Sequence, residues 1–535
     1  MALLEPAPNG AADQRAGPDR TAVTASFTGR WGWPVVLAAL VVLAAVVRLH
    51  DLATRATWDA DQGRDMIILA GMLHIHHPVL PLLGPVTSFG DFHHGAIWYY
   101  LLAPAAFVGG GDPTVVVAEI ALLGSAAVGI VASLARSVAG PVAGIAAGLL
   151  MALSASAINE STFFWNPNLV AFFSALAVWA AWRAWTTRNV RWWLVAAGAQ
   201  AVSMQCHVLG VILLPPLIVW FIADARRRTG PERRALGWAA VGSVIVVAVC
   251  YLPFIVSELQ TGFGETRGLI AFVTGGGASA GAAGGQGLAF RLIFIPLRAL
   301  SWPLTGLLTD ALPLGFAAGV AVIVILVWLW RAAAPEMRPL TRWLGAATLW
   351  SCLALVIAAP SLEFVTPLPV DHYHAFLDPL VFVAVGIGFG VLLSRADAIP
   401  GALSIRATAV VIGVLLLVWN VVHWPPNVAP DGGYPAAEAA AARVKTDLIG
   451  YGAQVISLPS FKTAEAYTYP LRRVGADATE KWFRVADSVV ILCDSLFVPD
   501  CGGPAEDGYR GQGFQLVDRF TAAPGRTISV YREAP

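Results

Sequence analysis

The sequence predicts an all-α protein that crosses a membrane many times and carries a small α/β domain near its C-terminal end. Of its 535 residues, 57% are hydrophobic and only 13% are charged, and the mean hydropathy is +0.67. A soluble globular protein carries about 25% charged residues, so much of this chain is expected to face lipid. Several stretches are long and apolar enough to cross about 30 Å of hydrocarbon as helices. The 20 tryptophans agree with this, since indoles favour the interface between lipid and water.

Arginine clusters predict how the spans are oriented, because short loops rich in arginine stay on the cytoplasmic side of a membrane. The clearest cluster runs from Arg226 to Arg234. Together the clusters predict about 11 transmembrane helices, with the N-terminus inside and everything after residue 425 outside. The predicted spans are 33–49, 114–135, 141–157, 168–186, 192–208, 209–225, 236–256, 311–330, 343–360, 375–394 and 406–424.

Two further apolar segments, 95–109 and 288–308, do not fit this count. If 95–109 crossed the membrane, Arg136 and the later arginine loops would fall on the wrong side. We therefore expect both segments to be helices that recline on the outer face. A loop at 274–286 is nearly all Gly, Ala and Ser, and we expect it to be mobile and to order over a bound substrate.

Composition divides the chain into three regions. Residues 1–30 are polar and predict a disordered cytoplasmic tail, followed by an uncleaved membrane anchor rather than a signal peptide. Residues 31–425 predict the membrane domain, which includes a long first outer loop at 50–113. Residues 426–535 predict a small extracytoplasmic α/β domain, with strands near 454–458, 488–492, 514–520 and 527–531.

Two cysteines of this last region, Cys493 and Cys501, are eight residues apart in a polar stretch. They are a candidate disulfide, and a bond between them would require an oxidising compartment. The alternative, that both stay reduced, is equally open at this stage. No residue pattern in the region suggests catalysis.

The first outer loop concentrates polar groups where the first span ends. Asp59, Asp61, Arg64 and Asp65 come first, and five histidines follow them. A carboxylate beside apolar surface can gain proton affinity and serve as a general base, so Asp61 and Asp59 are the candidate catalytic residues. Asp59 could instead cap the helix that follows it.

Seven of the ten histidines lie in two outer loops, and they raise the question of a metal. They are His74, His76, His77, His93, His94, His372 and His374. Their spacing matches no common zinc-ligand pattern, so we predict no metal site and no required cofactor, with a divalent metal as the alternative. No basic tract suggests a nucleic-acid partner.

Further motifs lie at the predicted outer ends of later segments. His93 and His94 precede an aromatic stretch that contains Tyr99, at the start of segment 95–109. An ionisable residue inside a span, such as His207, is a functional candidate by default, although a histidine satisfied by its neighbours would look the same. The later motifs are Phe164-Trp165-Asn166-Pro167-Asn168, Gln205-Cys206-His207 and Asp371-His372-Tyr373.

In order and position, these motifs over residues 33–424 resemble the lipid-linked sugar transferases of the GT-C fold. The group concerned, glycosyltransferase family 39, contains protein O-mannosyltransferases and the bacterial aminoarabinose transferase for lipid A. Its members carry an Asp-Glu pair after the first span, and here Asp61-Gln62 occupies that place. The resemblance implies that Asp61 is the catalytic base. Any role for a second carboxylate would fall to Asp59 or Asp65, or be absent.

The resemblance also implies an inverting transfer of a monosaccharide from a polyprenyl-phosphate donor to a lipid, glycan or protein acceptor. It implies a site on the outer face of the inner (plasma) membrane, and the Ala- and Arg-rich composition suggests a bacterial cell envelope. Arg64, His94, His207 and His372 would neutralise the leaving phosphate. The predicted substrate-binding residues are Arg64, Asp65, His93, His94, Tyr99, Asn166, Gln205, His207, His372 and Tyr373.

Three other classes of function fit parts of the pattern. A transporter or flippase of lipid-linked sugars would also need many spans, but such proteins often show inverted repeats, and none is visible here. A metal-dependent oligosaccharyltransferase would need carboxylates on two outer loops, and Glu160 is the only obvious partner for the first loop. A non-enzymatic sensor or scaffold would act through the C-terminal domain.

Overall fold

The computed structural model describes most of the membrane domain and of the C-terminal domain. The predicted tail at 1–30 lies outside the described residues, as does the Gly-rich loop from residue 275 to 286. The described residues are 32–74, 76–87, 92–274, 287–306, 311–359, 371–395, 402–448, 452–459, 464–480, 486–495, 498, 500–504, 506, 508 and 513–533.

Helices build the membrane domain, and one short antiparallel hairpin interrupts them. The hairpin pairs β1 (Leu83–Val86) with β2 (His93–Gly95). In chain order the helices are α1 (Gly32–Leu49), α2 (Leu52–Arg55), α3 (Ala60–Met72), α4 (Ile97–Val108), α5 (Pro113–Leu153), α6 (Ala155–Asn159), α7 (Val170–Thr187), α8 (Arg191–Cys206), α9 (Leu214–Arg227), α10 (Gly230–Cys250), α11 (Leu252–Thr261), α12 (Gly264–Thr274), α13 (Leu288–Thr305), α14 (Leu312–Ala332), α15 (Arg338–Ala358), α16 (Asp378–Arg395) and α17 (Ala402–Val422). Short 3₁₀ turns lie at Asn166–Leu169, Val208–Leu213 and Asp371–His374.

The helices confirm the predicted fold class. Within the described residues, nine helical stretches are long and apolar enough to cross a membrane. One of them, α5, is broken at Ala139 and Gly140, where Gly140 has a φ of 83° and is followed by Pro141. Glycine permits this break, because only glycine adopts that backbone conformation without strain. The break divides α5 into two helices. With this division, and with α8 and α16 included, a helix coincides with each of the eleven predicted spans.

The contacts of α13 place it along one face of the bundle, as expected for segment 288–308. Near its start, Arg291 Nη1 donates to the carbonyl of Val356 at the end of α15, at 3.3 Å. At its other end, the carbonyl of Thr305 accepts from Trp419 Nε1 near the end of α17, at 2.9 Å. We call this face, where α1, α15 and α17 end, the site face. Both ends of α13 therefore lie at the site face although the helix is apolar enough to span.

The C-terminal domain is a mixed α/β unit, as predicted. Its five strands are arranged in the order β4-β3-β5-β7-β6, with β3 parallel to β4 and β5 and the other pairs antiparallel. Cys493, in β5, forms a disulfide with Cys501. In chain order the elements are α18 (Gly433–Asp447), β3 (Ala453–Leu458), α19 (Ala464–Arg473), β4 (Ala478–Thr479), β5 (Ser488–Asp494), β6 (Phe514–Ala523) and β7 (Arg526–Glu533).

Candidate active site

Asp59 begins α3 as its N-cap. Its carboxylate accepts from the N–H of Ala60 at 2.9 Å, and its own N–H donates to Gln62 Oε1 at 2.9 Å, which completes a capping box. The same carboxylate pairs with Arg526 of the C-terminal domain at 3.1 Å. These contacts give Asp59 a structural role as a helix cap, and its assignment as a catalytic carboxylate stays a prediction.

Gln62 stands where the resembling family has a glutamate, and its contacts explain the difference. Its amide N–H donates to the carbonyl of Phe164 at 2.7 Å, while its amide oxygen accepts from Asp59. The side chain is buried. An ionised glutamate has no hydrogen to donate to Phe164. The amide therefore ties the start of α3 to the segment that precedes α7.

Asp61, in the first turn of α3, has a side chain that is 49% exposed. Its carboxylate lies 3.0 Å from Arg64 Nη1, one helical turn further on. Asp61 is thus a reachable carboxylate held beside a cation. A carboxylate in this setting can accept a proton from a hydroxyl that approaches from solvent.

Asp65, by contrast, is buried and fully hydrogen-bonded. Its carboxylate accepts from Trp98 Nε1 at 3.0 Å and from the Tyr99 hydroxyl at 2.9 Å, and it lies 3.2 Å from Arg64 Nε. Burial raises the pKa of Asp65 to about 6, although Arg64 and the Tyr99 hydroxyl oppose the rise. Asp65 and Tyr99 therefore hold Arg64 in place, and their assignment as substrate-binding residues stays a prediction.

Three histidines from distant parts of the chain meet behind Arg64. The ring centroid of His207 lies 5.3 Å from that of His94 and 5.1 Å from that of His372. We call His94, His207 and His372 the histidine cluster. Tyr373 packs against His207 at 5.6 Å, and Trp165 packs against His372 at 4.3 Å. The structure thus brings together four predicted substrate-binding residues that span almost three hundred positions of sequence.

The cluster is electrically neutral before any ligand binds. Burial, with the nearby charges of His93 and Arg64, lowers the pKa of His94 to about 4. Burial lowers the pKa of His372 to about 3. Within the described part of the chain, Nδ1 of His94 and Nδ1 of His372 have no hydrogen-bond partner. Buried imidazole nitrogens of this kind are available to bind an anion.

The remaining predicted residues support the cluster rather than join it. Asn166 Nδ2 donates to the carbonyl of Cys206 at 2.5 Å, and Gln205 Nε2 donates to that of Cys250 at 2.9 Å. A Cβ atom on Gly95 would lie 2.3 Å from the Gln205 side chain, so glycine is what lets β2 reach α8. His93 turns away and binds Glu265 of α12, through its N–H at 2.6 Å and its ring at 3.1 Å.

Comparison with known proteins agrees with this arrangement. Residues 93–255 match the model of the dolichyl-phosphate-mannose-protein mannosyltransferase family, and this segment contains His94 and His207 of the cluster. No curated protein sequence matches the chain. ArnT from Cupriavidus metallidurans bound to undecaprenyl phosphate superposes with a TM-score of 0.59 at 14% identity, covering 94% of this chain and 98% of ArnT. The chain therefore has the GT-C fold of that structure.

Other structures agree on the same GT-C fold. ArnT from the same organism in the apo state has a TM-score of 0.58 at 14% identity, over 93% of this chain and 98% of ArnT. The archaeal oligosaccharyltransferase AglB from Archaeoglobus fulgidus, in complex with an inhibitory peptide and a dolichol-phosphate, has a TM-score of 0.50 at 13% identity. That match covers 87% of this chain and 70% of AglB. At these identities the comparisons establish the architecture.

A second buried polar group lies beside the histidine cluster. Glu160, at the end of α6, accepts from Trp302 Nε1 of α13 at 2.5 Å, and its carboxyl group is hydrogen-bonded to that of Asp378. His374 Nδ1 lies 3.0 Å from Asp378 Oδ1. The guanidinium of Arg298 covers the Trp302 ring at 4.1 Å. We call Glu160, Trp302, Asp378, His374 and Arg298 the carboxyl network.

Sequence reasoning missed most of this network. Glu160 and His374 stand out as polar residues of outer loops, but Asp378 and Arg298 sit in apolar segments with no motif around them. An aspartate before a proline, as in Asp378-Pro379, could have marked the start of a helix. Nothing in the sequence indicates that it meets Glu160.

The described residues do not assemble a metal site. Among them, no group of three or more His, Cys, Asp or Glu side chains is placed to hold one ion. The His207 ring is tilted against the rings of His94 and Tyr373 and meets the His372 ring edge-on. The prediction that no cofactor is required stays a prediction.

Proposed function

We propose that this protein is a GT-C glycosyltransferase that moves one monosaccharide from a polyprenyl-phosphate donor to an acceptor hydroxyl, with inversion at the sugar carbon. The observation that carries the proposal is the placement of Asp61. Its half-exposed carboxylate stands beside the Arg64 guanidinium, and the pKa of His94 in the neighbouring cluster responds to that same guanidinium. A base, a cation and anion-binding imidazoles thus occupy one continuous region.

The bond changes follow from these groups. The acceptor oxygen attacks the sugar carbon as its proton passes to Asp61, and the bond between that carbon and the phosphate oxygen breaks. The phosphate keeps the bonding electrons and gains negative charge. Arg64 and the imidazoles of the histidine cluster donate hydrogen bonds to it, and stabilising the charge that develops is usually the largest contribution to catalysis. Because Arg64 supplies positive charge, we propose that no metal is required.

The neutral state of the cluster suits a lipid-linked donor. A neutral imidazole costs less to bury than a charged one, so the pocket can stay folded and apolar when empty. An arriving phosphate raises the pKa of each nearby histidine, because opposite charge favours the protonated form. The cluster can therefore gain positive charge only when the phosphate is present.

The similar proteins support a lipid phosphate as the carrier. ArnT is bound to undecaprenyl phosphate, and AglB is in complex with a dolichol-phosphate. We propose that the donor is of the same chemical class here. The transferred sugar could be a hexose or a pentose, and the acceptor a lipid, a glycan or a protein. We propose that the site lies on the outer face of the inner membrane, with the C-terminal domain above it.

The decisive experiment is a transfer assay with the purified protein and a radiolabelled polyprenyl-phosphate monosaccharide. We expect the wild-type protein to release or transfer the sugar. Asp61→Asn should lower the rate by about 10²- to 10⁴-fold, because the amide cannot accept the acceptor proton. The matched control is Asp51→Asn, since Asp51 is an exposed carboxylate of the same loop, 44% accessible and paired with His50.

Three outcomes would contradict the proposal or a part of it. Full activity in Asp61→Asn would remove Asp61 as the base. Failure of the wild-type protein to bind any lipid-phosphate sugar would remove this class of function and favour a scaffold or a transporter. Loss of the rate on addition of EDTA would contradict the metal-free mechanism.

A further inference from the structure

The C-terminal domain holds the start of α3, the helix that carries Asp61. Arg526 Nη1 donates to the carbonyl of Trp58 at 2.8 Å, and Arg526 Nη2 pairs with Asp59 at 3.1 Å. The indole N–H of Trp58 donates to the carbonyl of Ala466 in α19 at 2.6 Å. Asp431 accepts from the backbone N–H of Trp58 at 2.8 Å. The two residues before α3 are thus hydrogen-bonded from three parts of the C-terminal domain.

Helices α3 and α19 meet at Gly63, where no side chain separates their backbones. A Cβ atom on Gly63 would lie 2.1 Å from the carbonyl oxygen of Glu465 and 2.6 Å from the N of Ala466. Real Cβ atoms do not approach backbone this closely, so any side chain at residue 63 would push α3 and α19 apart. Gly63 lies between Asp61 and Arg64. The position of Asp61 therefore depends on how α19 sits, whereas Arg64 is also held by Asp65, which Trp98 and Tyr99 of α4 bind.

This interface is buried and extends over several elements. Trp58 is 3% exposed, and its ring lies 4.7 Å from Tyr434 and 6.1 Å from Tyr469. The Tyr469 hydroxyl donates to the carbonyl of Gly111, just before α5, at 2.5 Å. Through these contacts the C-terminal domain is packed firmly against the site face of the membrane domain.

The histidine cluster is supported differently. The ring contacts of His94, His207 and His372 are with one another and with Trp165 and Tyr373 of the membrane domain. The histidines that would bind the lipid phosphate are thus held by residues of the membrane domain. Helix α3, which carries the proposed base Asp61, is held by residues of both domains.

We propose that the C-terminal domain is a positioning element of the active site, which orients Asp61 toward the acceptor through Arg526 and the contact of Gly63 with α19. The proposal rests on the transferase function proposed above. In this proposal the membrane domain binds the donor, and the junction between the two domains positions Asp61 to take the proton of the acceptor hydroxyl. Disturbing the junction should therefore lower transfer while lipid-phosphate binding is kept.

Gly63→Ala is the direct test, and α3 itself offers a matched control. A Cβ atom on Gly71 would meet only the Val79 Cβ, at an ordinary 3.7 Å, so Gly71→Ala adds the same methyl group to the same helix without a clash. The probes are undecaprenyl phosphate for affinity and a labelled polyprenyl-phosphate sugar, with membranes from cells lacking this gene as the acceptor source, for transfer. Gly63→Ala should lower the initial transfer rate by about 10- to 100-fold, since a displacement near 1 Å has that effect.

Both glycine variants should still bind the lipid phosphate of the donor. We expect undecaprenyl phosphate to bind both glycine variants within about twofold of the wild-type affinity. Arg526→Gln should behave like Gly63→Ala. Its control is Arg443→Gln, because Arg443 forms an exposed pair with Asp518 in the same domain, away from α3.

Hydrogen exchange gives a readout that needs no substrate. Amides of α3 and α19 should exchange faster in Gly63→Ala than in Gly71→Ala. Unchanged exchange, unchanged transfer, or a loss of lipid-phosphate affinity equal to the loss of transfer would each overturn the proposal. Absence of binding and transfer in the wild-type protein would instead contradict the transferase function, and the exchange data would still report whether the domain holds α3.

Discussion

At the scale of single residues, Gln62 shows how one amide changes the meaning of a motif. A family resemblance makes the position look like a lost catalytic acid, but its contacts with Asp59 and Phe164 need both a donor and an acceptor. The residue therefore serves the geometry of α3. Asp61 is left as the reachable carboxylate of the motif, with Asp59 in the cap and Asp65 buried under Trp98 and Tyr99.

The first residue-scale prediction follows from that geometry. Gln62→Glu, which restores the acid of the resembling family, should destabilise the protein by about 1–3 kcal/mol, because a buried carboxylate would face the Phe164 carbonyl with no hydrogen to share. The measurement is the thermal unfolding midpoint in detergent, together with the transfer rate. A midpoint and a rate equal to those of the wild-type protein would show that the amide hydrogen is dispensable.

The stability of the protein should depend on pH through His94 and His372. His94 and His372 have folded-state pKa values of about 4 and about 3, below the value near 6.5 of an unfolded histidine. Below about pH 6.5 the unfolded chain binds more protons than the folded one, so the stability that these histidines contribute is complete above that pH and is lost as pH falls toward 4. Asp65 and Glu160, with their raised pKa values, act in the opposite direction, so the contribution of the histidines is read from the difference between the wild-type protein and a histidine variant.

We therefore expect the free energy of unfolding to fall by about 5 kcal/mol between pH 7 and pH 4.5 through these two histidines. His372→Asn should show a shallower dependence, since one titrating group is removed. Undecaprenyl phosphate should reduce the loss, because a bound anion favours the protonated histidines. An identical pH slope in the variant and the wild-type protein would contradict the assignment.

At the scale of elements, the carboxyl network joins pieces that are remote in sequence. Glu160 ends α6, Trp302 belongs to the reclining helix α13, and Asp378 begins α16. His374, bonded to Asp378, lies on the same 3₁₀ turn as His372 of the histidine cluster. The network thus fixes the turn that delivers His372 and Tyr373 to the site.

The element-scale prediction depends on the protonation of Glu160. Burial and the neighbouring Asp378 raise the pKa of Glu160 well above its usual value, so Glu160 donates a hydrogen to Asp378 while accepting one from Trp302. A glutamine can make both bonds. Glu160→Gln should therefore keep the transfer rate within about threefold, whereas Glu160→Ala leaves two buried partners unsatisfied and should lose about 2 kcal/mol of stability.

These two variants are each other's control, since they alter the same site. The unfolding midpoint and the transfer rate should both separate them. Equal losses in Glu160→Gln and Glu160→Ala would mean that Glu160 acts as an ionised carboxylate. Equal retention would mean that the network does not hold the turn.

At the scale of the whole molecule, two bodies share the site. The membrane domain supplies the histidine cluster, and the C-terminal domain grips the residues before α3 through Arg526 and Asp431. Gly63 allows the close approach that makes this arrangement one unit. A substitution in the C-terminal domain can therefore change catalysis without touching any substrate-binding side chain.

Composition, hydropathy and arginine placement were sufficient to predict the membrane class, the helices at the eleven spans and the reclining segment 288–308. Those properties act locally, because each apolar segment must satisfy its own backbone hydrogen bonds in lipid and each arginine loop resists transfer across it. The motif order was likewise sufficient to place Asp61, Arg64 and the histidines of the cluster among the candidates.

Tertiary packing decided which candidates meet. His93 and His94 are adjacent in sequence, yet one binds Glu265 and the other enters the histidine cluster. Asp59 is a helix cap held by Arg526, more than four hundred residues away. Such pairings depend on how distant elements dock, and no local pattern of residues encodes the distance between them. Contacts that only the folded chain possesses thus give the three carboxylates of the acidic stretch different surroundings. Asp59 caps a helix, Asp61 is half-exposed beside Arg64, and Asp65 is buried and hydrogen-bonded.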